Sequence, residues 1–295
     1  MSEQTPAGAR SFGAVADAYD RGRPTYPRAA AAWLVGEQPV TVLELGAGTG
    51  KLTAELVALG HDVLATDPDP QMLAILNRDL PEVRTAAAPA EDIPLPDQVV
   101  DVVVCAQAFH WFDLDRALPE IARVLKPGGR LALVWNQRDE RIPWVRRLGA
   151  LLGTQDQLRE PAEPLVQSAL FGFVEDASFR FRQAIDRESI QALVLSRSNV
   201  AVLDEDGRAA KIAEVLAFYD DYGRGMDGML LPYVTRCFRA VVVDRPRRAD
   251  VAPPAGPDDG GDAGPDEPVD PGAAPGDDRE VSDGTDTDML LIDFR

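Results

Sequence analysis

The chain has 295 residues, of which 45% are hydrophobic, so it is long enough to bury a core of its own. Its formal net charge of -19 argues against a nucleic-acid partner, because nucleic-acid-binding proteins normally present a basic surface. The sequence contains no apolar run of about 18 residues and no apolar leader core, so no membrane span is expected. Its two cysteines form neither a metal motif nor a disulfide framework, which predicts a reducing, cytoplasmic location.

Short apolar runs alternate with amphipathic segments through the first half of the chain. Residues 41–45 predict a first buried strand, and leucines at helical spacing predict a helix that ends near Gly60. Four more strands are predicted over residues 62–66, 83–87, 99–105 and 130–135, with a helical face at residues 114–125 and a turn at residues 126–129. This βαβα order predicts an α/β fold, a doubly wound Rossmann-like parallel sheet with helices on both faces.

Beyond residue 135 the pattern is less regular. It predicts a helix over residues 138–152, a strand over 173–181, a helix around 212–219 and a last strand over 230–243. By analogy with folds of this kind, residues 136–198 are expected to carry a substrate-covering insertion. We assign residues 31–248 to one domain.

A change of composition marks the end of that domain. Residues 249–295 carry 14 acidic and 2 basic side chains, a balance of -12 that leaves -7 for the rest of the chain. The segment is rich in Pro, Gly and Asp and has no apolar period, so a disordered acidic tail is predicted. Residues 289–294 turn apolar again and are either a docking motif for a protein partner or an unselected chain end.

A glycine turn, GAGTG at residues 46–50, follows the first predicted strand directly. In open α/β sheets ligands bind at the carboxyl ends of the strands, and glycines let a ligand approach the backbone closely. Asp67 follows the second strand, where a carboxylate can accept hydrogens from both ribose hydroxyls of an adenosine, although it could instead cap a helix. Ala90 and Glu91 follow the third strand, where an adenine ring would lie, and a surface loop is the alternative.

The spacing of the glycines distinguishes a turn that binds a dinucleotide from one that binds a methyl donor. A dinucleotide fingerprint is G-x-G-x-x-G, shaped for a pyrophosphate, whereas this turn is G-x-G-x-G and is preceded by Glu44. S-adenosylmethionine carries an amino group and a sulfonium, and a carboxylate at Glu44 would attract that positive charge. The pattern therefore favours a methyl donor over a nicotinamide cofactor.

Residues 42–50, VLELGAGTG, resemble the first motif of the class I S-adenosylmethionine-dependent methyltransferases. Asp67 and the segments AEDIP at 90–94 and LKPGG at 125–129 match later motifs of that family in order. The set is similar to the small-molecule branch that includes the ubiquinone/menaquinone-type and trans-aconitate-type methyltransferases. The resemblance covers about residues 10–243 and implies a seven-stranded sheet whose last strand is antiparallel.

The resemblance also implies which residues hold S-adenosylmethionine. Residues 1–30 would form an N-terminal segment that covers the cofactor, with Tyr19 and Arg23 bonding its carboxylate, and a purely structural helix is the alternative. No metal is expected. The predicted cofactor-binding residues are Tyr19, Arg23, Glu44, Gly46, Ala47, Gly48, Thr49, Gly50, Asp67, Pro68, Met72, Ala90, Glu91, Ala106 and Gln107.

His110 is the candidate catalytic residue, as a general base for a hydroxyl acceptor, and a structural histidine packed beside Trp111 and Phe112 is the alternative. Residues 106–112 lack the Asn/Asp-Pro-Pro-Tyr/Phe motif of many N-methyltransferases, so O-methylation of a small-molecule acceptor is favoured. Two other functions stay open: a non-catalytic cofactor-binding adaptor that acts through the acidic tail, and a nicotinamide-dependent oxidoreductase.

Overall fold

The computed structural model describes residues 20–153, 162–222 and 229–243. The strands are β1 (Thr41–Leu45), β2 (Asp62–Thr66), β3 (Arg84–Ala86), β4 (Val100–Ala106), β5 (Leu125–Arg138), β6 (Glu175–Ile185) and β7 (Met229–Val241). The helices are α1 (Arg28–Val35), α2 (Lys51–Ala58), α3 (Pro70–Asp79), α4 (Leu114–Val124), α5 (Pro143–Leu152), α6 (Glu163–Gln167), α7 (Arg187–Leu195), α8 (Ser198–Ala201) and α9 (Glu205–Tyr222). A short 3-10 turn spans Phe109–Trp111.

All seven strands belong to one sheet in the order β3-β2-β1-β4-β5-β7-β6. Strands β1 to β5 pair in parallel, whereas β7 is antiparallel to both β5 and β6. The doubly wound α/β fold and its antiparallel last strand are therefore confirmed. The chain leaves β1 toward β2 and later returns to β4 on the other side of β1, so the strand order reverses there. At such a switch point a crevice opens beside the carboxyl ends of the strands.

The prediction for the start of the helix after β5 was wrong. A helix was expected from residue 138, but Arg138 still pairs with Tyr233 of β7, and the helix starts at Pro143. Proline suits the first turn of a helix because it has no N–H to leave unpaired there. The strand therefore extends past the sheet's central strands and carries polar residues to the ligand-binding edge.

The turn expected at residues 126–129 also takes a different form. Helix α4 ends at Val124, one residue earlier than expected, because Leu125 already pairs with Val100 of β4, and the next pair is Arg130 with Val102. The intervening residues, with Gly128 at a φ of +78°, form an irregularity within β5 rather than a turn between a helix and a strand.

The described residues form two large apolar cores along the sheet, and a smaller one packs α3 against β2. The first lies between α1, α2 and the central strands, and the second joins α5, α7 and α9 to the ends of β6 and β7. Residues 136–198 thus contain sheet residues as well as helices of the second core. None of the described helices is long and apolar enough to cross a membrane.

The described residues all belong to one compact unit, which ends at residue 244. Residues 245–295, which include the predicted tail, lie outside the described residues. So does most of the predicted N-terminal cover, of which residues 20–30 are described. The assignments of the cover, the insertion and the tail remain predictions.

Candidate functional site

The glycine turn between β1 and α2 uses backbone conformations that other residues rarely adopt. Gly46, Gly48 and Gly50 have φ angles of +69°, +57° and +85°. A Cβ atom on Gly46 would lie 2.4 Å from the Cβ of Ala108, so this glycine lets the turn pack against the segment after β4. A Cβ atom on Gly48 would meet nothing within 4 Å, which leaves the turn open to a ligand on that side.

Two adjoining cavities lie on either side of this turn. Both are bordered by Gly46, Gly48, Ala106 and Gln107, and their empty volumes are about 440 and 570 Å³ including space open to solvent. We call the first the glutamate cavity, and its other walls are Arg23, Pro24, Tyr26, Glu44, Ala47, Thr49, Lys51 and Leu52. We call the second the aspartate cavity, and its other walls are Asp67, Pro68, Met72, Ala108, Trp111 and Phe112.

Glu44 is a buried acid in the wall of the glutamate cavity. The hydroxyl of Thr53, on α2, donates a hydrogen bond of 2.7 Å to its Oε2. Burial raises the pKa of Glu44 to about 8, against the lowering effect of Thr53, and the nearby charge of Asp67 raises it further. Its Oε1 and the Oγ1 of Thr49 are buried without a hydrogen-bond partner among the described residues. Buried polar atoms normally have partners, so both atoms fit a polar ligand in this cavity.

The carboxylate of Asp67, just after β2, accepts two backbone hydrogen bonds. Its Oδ2 accepts the backbone N–H of Gly48 and its Oδ1 accepts the backbone N–H of Asp69, both at 2.9 Å. Burial raises the pKa of Asp67, and these two hydrogen bonds oppose the rise. A carboxylate has about four lone-pair sites, so each oxygen can accept one more hydrogen from a ligand. The pair of oxygens therefore fits a vicinal diol such as that of a ribose.

The segment after β4 is held in an unusual conformation. Gln107 has a φ of +59°, its backbone N–H bonds Val134 at 2.9 Å, and its side-chain amide donates to the carbonyl of Asn136 at 3.1 Å. Positive φ is uncommon for a residue other than glycine and often accompanies a functional site. Here it directs Ala106 and Gln107 toward both cavities.

The described part of the N-terminal cover is anchored to the body of the protein. Arg23 donates to the carbonyl of Ser196 at 2.9 Å, and Asp20 forms an ion pair of 2.9 Å with Lys51. The side-chain amide of Asn136 donates to the carbonyl of Thr25 at 3.0 Å. These contacts place Arg23 in the wall of the glutamate cavity. Tyr19, predicted beside it, lies outside the described residues.

Four other predicted site residues do not line these two cavities. Gly50 precedes α2 and packs against Leu76. Ala90 is buried, and Glu91 accepts the backbone N–H of Asp113 at 2.7 Å. His110 is exposed on the 3-10 turn, with its ring 4.8 Å from that of Trp111. Direct roles for these residues remain predictions.

Sequence reasoning missed several residues that border the site. Thr53 was not identified, although a threonine on the buried face of a helix between Leu52 and Leu56 is a polar residue that needs a partner. The cavity walls formed by Tyr26 and Lys51 had no distinct sequence signal, because they depend on how the cover packs.

The sheet is doubly wound and has open cavities at the β1/β4 switch point. One acid lies at the end of β1 and another follows β2. Together these features define a Rossmann-like nucleotide-binding protein. A family model described as a methyltransferase domain matches residues 43–133. An uncharacterized methyltransferase of Mycobacterium tuberculosis is 43% identical over 240 residues, which cover 79% of this chain and 96% of that protein. The chain belongs to the class I S-adenosylmethionine-dependent methyltransferases, and S-adenosylmethionine is its cofactor.

Two further comparisons agree with this assignment. An uncharacterized methyltransferase-like protein of Schizosaccharomyces pombe is 38% identical over 215 residues, or 68% of this chain and 82% of that protein. A solved structure titled a putative type II methyltransferase from Anaeromyxobacter dehalogenans is 28% identical, with a TM-score of 0.55, and covers 74% of this chain and 97% of that one.

Proposed function

We propose that the protein transfers the methyl group of S-adenosylmethionine to an oxygen atom of a small-molecule acceptor. The observation that carries this proposal is the wall of the aspartate cavity after β4, where Trp111 and Phe112 lie beside Ala106 and Gln107. That segment, residues 106–112, contains none of the Asn/Asp-Pro-Pro-Tyr/Phe motif associated with many N-methyltransferases. Aromatic walls suit an apolar portion of a small acceptor and help to exclude water.

The names of two relatives support a small acceptor. The malonyl-[acyl-carrier protein] O-methyltransferase of Methylococcus capsulatus is 40% identical over 134 residues, which cover 41% of this chain and 48% of that protein. The demethylmenaquinone methyltransferase of Thermus thermophilus is 42% identical over 103 residues, which cover 32% of this chain and 47% of that protein. Both matches are confined to part of the chain, so they support the general class of acceptor and not its identity.

The cavity residues suggest how the cofactor is held. S-adenosylmethionine, when bound, supplies a methyl group on a positively charged sulfur. Asp67 would accept hydrogens from the ribose hydroxyls, while Gly48 provides the room for a close approach. Glu44, Thr49 and Arg23 would bind the amino acid portion, because they offer an acid, a hydroxyl and a guanidinium in one cavity. The main task of the protein in such a transfer is to hold the reacting atoms in line.

A base is needed only if the acceptor must lose a proton, and His110 is the residue we propose for it. The exposed ring of His110 is adjacent in the chain to Trp111, which lines the aspartate cavity. Catalytic contacts often tighten only when the substrates are bound, so we expect the His110 ring to approach the acceptor in the complex.

The experiment is to incubate the full chain with methyl-labelled S-adenosylmethionine and a fractionated metabolite extract. A labelled small product whose methyl group is on oxygen, as an ester or an ether, would support the proposal. Label on nitrogen or carbon would contradict O-methylation, and label on protein alone would contradict a small acceptor. Calorimetric titration with S-adenosylhomocysteine serves as the control that the cofactor site is intact.

The proposal also includes a cellular location and a partner for the C-terminal residues. Cys105 and Cys237 are both free and buried, which agrees with a reducing compartment such as the cytoplasm. A protein partner for residues 289–294 remains a prediction, since that segment lies outside the described residues.

A further inference from the structure

A third cavity lies beyond the carboxyl end of β5, and its walls are unlike those of the cofactor site. Its empty volume is about 1120 Å³ including space open to solvent. Four arginines and two acids contribute to its lining: Arg138, Arg141, Arg146, Arg180, Asp139 and Glu140. We call it the arginine cavity.

The acids of the arginine cavity compensate only two of its four cations. Asp139 binds Arg141 through both carboxylate oxygens, at 2.6 and 2.7 Å, and Glu140 lies 3.3 Å from Arg138. The Arg141 guanidinium beside Asp139 lowers the pKa of that carboxyl, and Arg180 adds to the effect at longer range.

Arg146 and Arg180 carry the remaining positive charge. Arg146 donates to the backbone carbonyl of Glu140 at 3.0 Å, and neither Arg146 nor Arg180 forms an ion pair with another described residue. The described lining therefore has a net charge of two positive units, in a chain whose net charge is -19. Such local charge attracts an anion.

The arginines reach this cavity from different parts of the fold. Arg138 and Arg141 stand at and just after the end of β5, Arg146 on the first turns of α5, and Arg180 on β6. A run of adjacent arginines would be an ordinary solvated surface. Here Arg141, Arg146 and Arg180 are exposed but converge from a loop, a helix and a strand that does not adjoin β5 on one open cavity, so an anion in that cavity can meet all three.

The arginine cavity shares no lining residue with the two cofactor cavities, but it lies near them at the carboxyl end of β5. Gln107, which lines both cofactor cavities, donates to the carbonyl of Asn136, and the next residue, Gln137, lines the arginine cavity. Gln137 pairs with Val234 of β7, which pairs with Arg180 of β6. Neighbouring strands are about 4.8 Å apart, so Arg180 lies only about 10 Å across the sheet from Gln137. An acceptor anchored at Arg180 must therefore extend this far to reach Gln137, and farther to reach Gln107.

We propose that the arginine cavity binds an oxyanion, a carboxylate or a phosphate, carried by the methyl acceptor. This inference rests on the proposed function and narrows its substrate class to acidic small molecules. Guanidinium groups bind both kinds of oxyanion through paired N–H donors, and Arg146 and Arg180 supply the uncompensated charge. The anion would anchor the acceptor while its reacting atom extends toward Gln107 and the aspartate cavity.

The test uses the full chain saturated with S-adenosylhomocysteine and titrated separately with inorganic phosphate and with succinate. We expect saturable binding of at least one anion, weakened at least about tenfold in the double variant Arg146→Gln/Arg180→Gln. The matched control is Arg182→Gln, since Arg182 is exposed two residues farther along β6 and is not part of the lining. It should stay within about twofold of wild type. The tighter of the two anions identifies the acidic group.

Absence of saturable binding, or equal weakening by the control, would overturn the inference. The affinity for S-adenosylhomocysteine, measured in the same samples, is expected to be unchanged in all variants. If the wild-type chain fails to bind S-adenosylhomocysteine, the proposed function itself fails, and that result is distinct from loss of anion binding. In the labelled-extract assay, label should appear in acceptors retained by an anion exchanger, and label confined to unretained acceptors would also overturn the inference.

Discussion

Asp67 accepts a hydrogen bond of 2.9 Å from the backbone N–H of Gly48, and this contact joins the end of β2 to the glycine turn after β1. The second oxygen of the same carboxylate accepts the N–H of Asp69. The acid that is proposed to hold the ribose therefore also fixes the shape of the turn that the cofactor approaches. Ligand binding and local structure are coupled through one side chain.

Replacing Asp67 by Ala should weaken cofactor binding strongly. The change removes the proposed acceptor for two hydroxyl hydrogens, and hydrogen bonds to charged groups contribute enough that the Kd for S-adenosylhomocysteine should rise about 100-fold or more. Isothermal titration calorimetry measures this directly. The control is Asp69→Ala, because Asp69 caps α3 through Gln71 and lines neither cofactor cavity. The control should lose about 1 kcal/mol of stability and little affinity. An unchanged Kd in Asp67→Ala would contradict the ribose assignment.

Gly46→Ala and Gly48→Ala should have different effects although both glycines have positive φ. Each alanine has a backbone cost of about 1–2 kcal/mol, but at Gly46 the new methyl group also collides with Ala108, which adds about 1–3 kcal/mol. Gly46→Ala should therefore be the less stable variant in urea unfolding. Gly48→Ala should fold, yet bind S-adenosylhomocysteine about tenfold more weakly because its methyl group fills the open side of the turn. Equal stability of the two variants would show that the contact with Ala108 relaxes freely.

The acids of the site were predictable because their positions follow from strand ends. Glu44 and Asp67 come at the ends of short apolar runs that are typical of buried parallel strands, and the glycine turn marks the ligand edge. The arginine cavity was not predictable in this way. It depends on β7 lying between β5 and β6, an order that brings Arg180 near Gln137 although they are far apart in the chain. The local pattern of apolar and polar residues does not determine which strands of a sheet lie side by side.

Glu91 makes a structural contact that the local sequence pattern does not reveal. The sequence places it near the adenine, whereas in the structure it accepts the N–H of Asp113, the residue that precedes α4. This is the contact that a glutamate makes in a capping box, supplied here from a distant segment. Glu91→Ala should lower the free energy of unfolding by about 1 kcal/mol and change the Kd for S-adenosylhomocysteine by less than about threefold. A large rise in Kd at unchanged stability would instead support the adenine contact.

Glu44 should make stability depend on pH. Burial raises its pKa to about 8, above the value of about 4.3 for an unfolded chain, so between these values the folded protein holds the proton more tightly. The stability that this group contributes is present below about pH 4.3 and is lost as the pH rises toward 8. Glu44→Gln removes the titration while keeping a group that can accept from Thr53. Its melting temperature should match wild type near pH 5 and exceed it at pH 8.

The control for this measurement is Glu82→Gln, because Glu82 is exposed and remote from the cavities. It should leave the difference between pH 5 and pH 8 as in wild type. Glu44→Gln should also weaken S-adenosylmethionine binding above pH 8, where the wild-type side chain is ionised and attracts the cationic cofactor. A variant that is more stable at pH 8 yet binds the cofactor less well would show that the buried acid is retained for ligand binding at a cost in stability. Equal melting curves for Glu44→Gln and wild type at both pH values would contradict the buried, protonated state of Glu44.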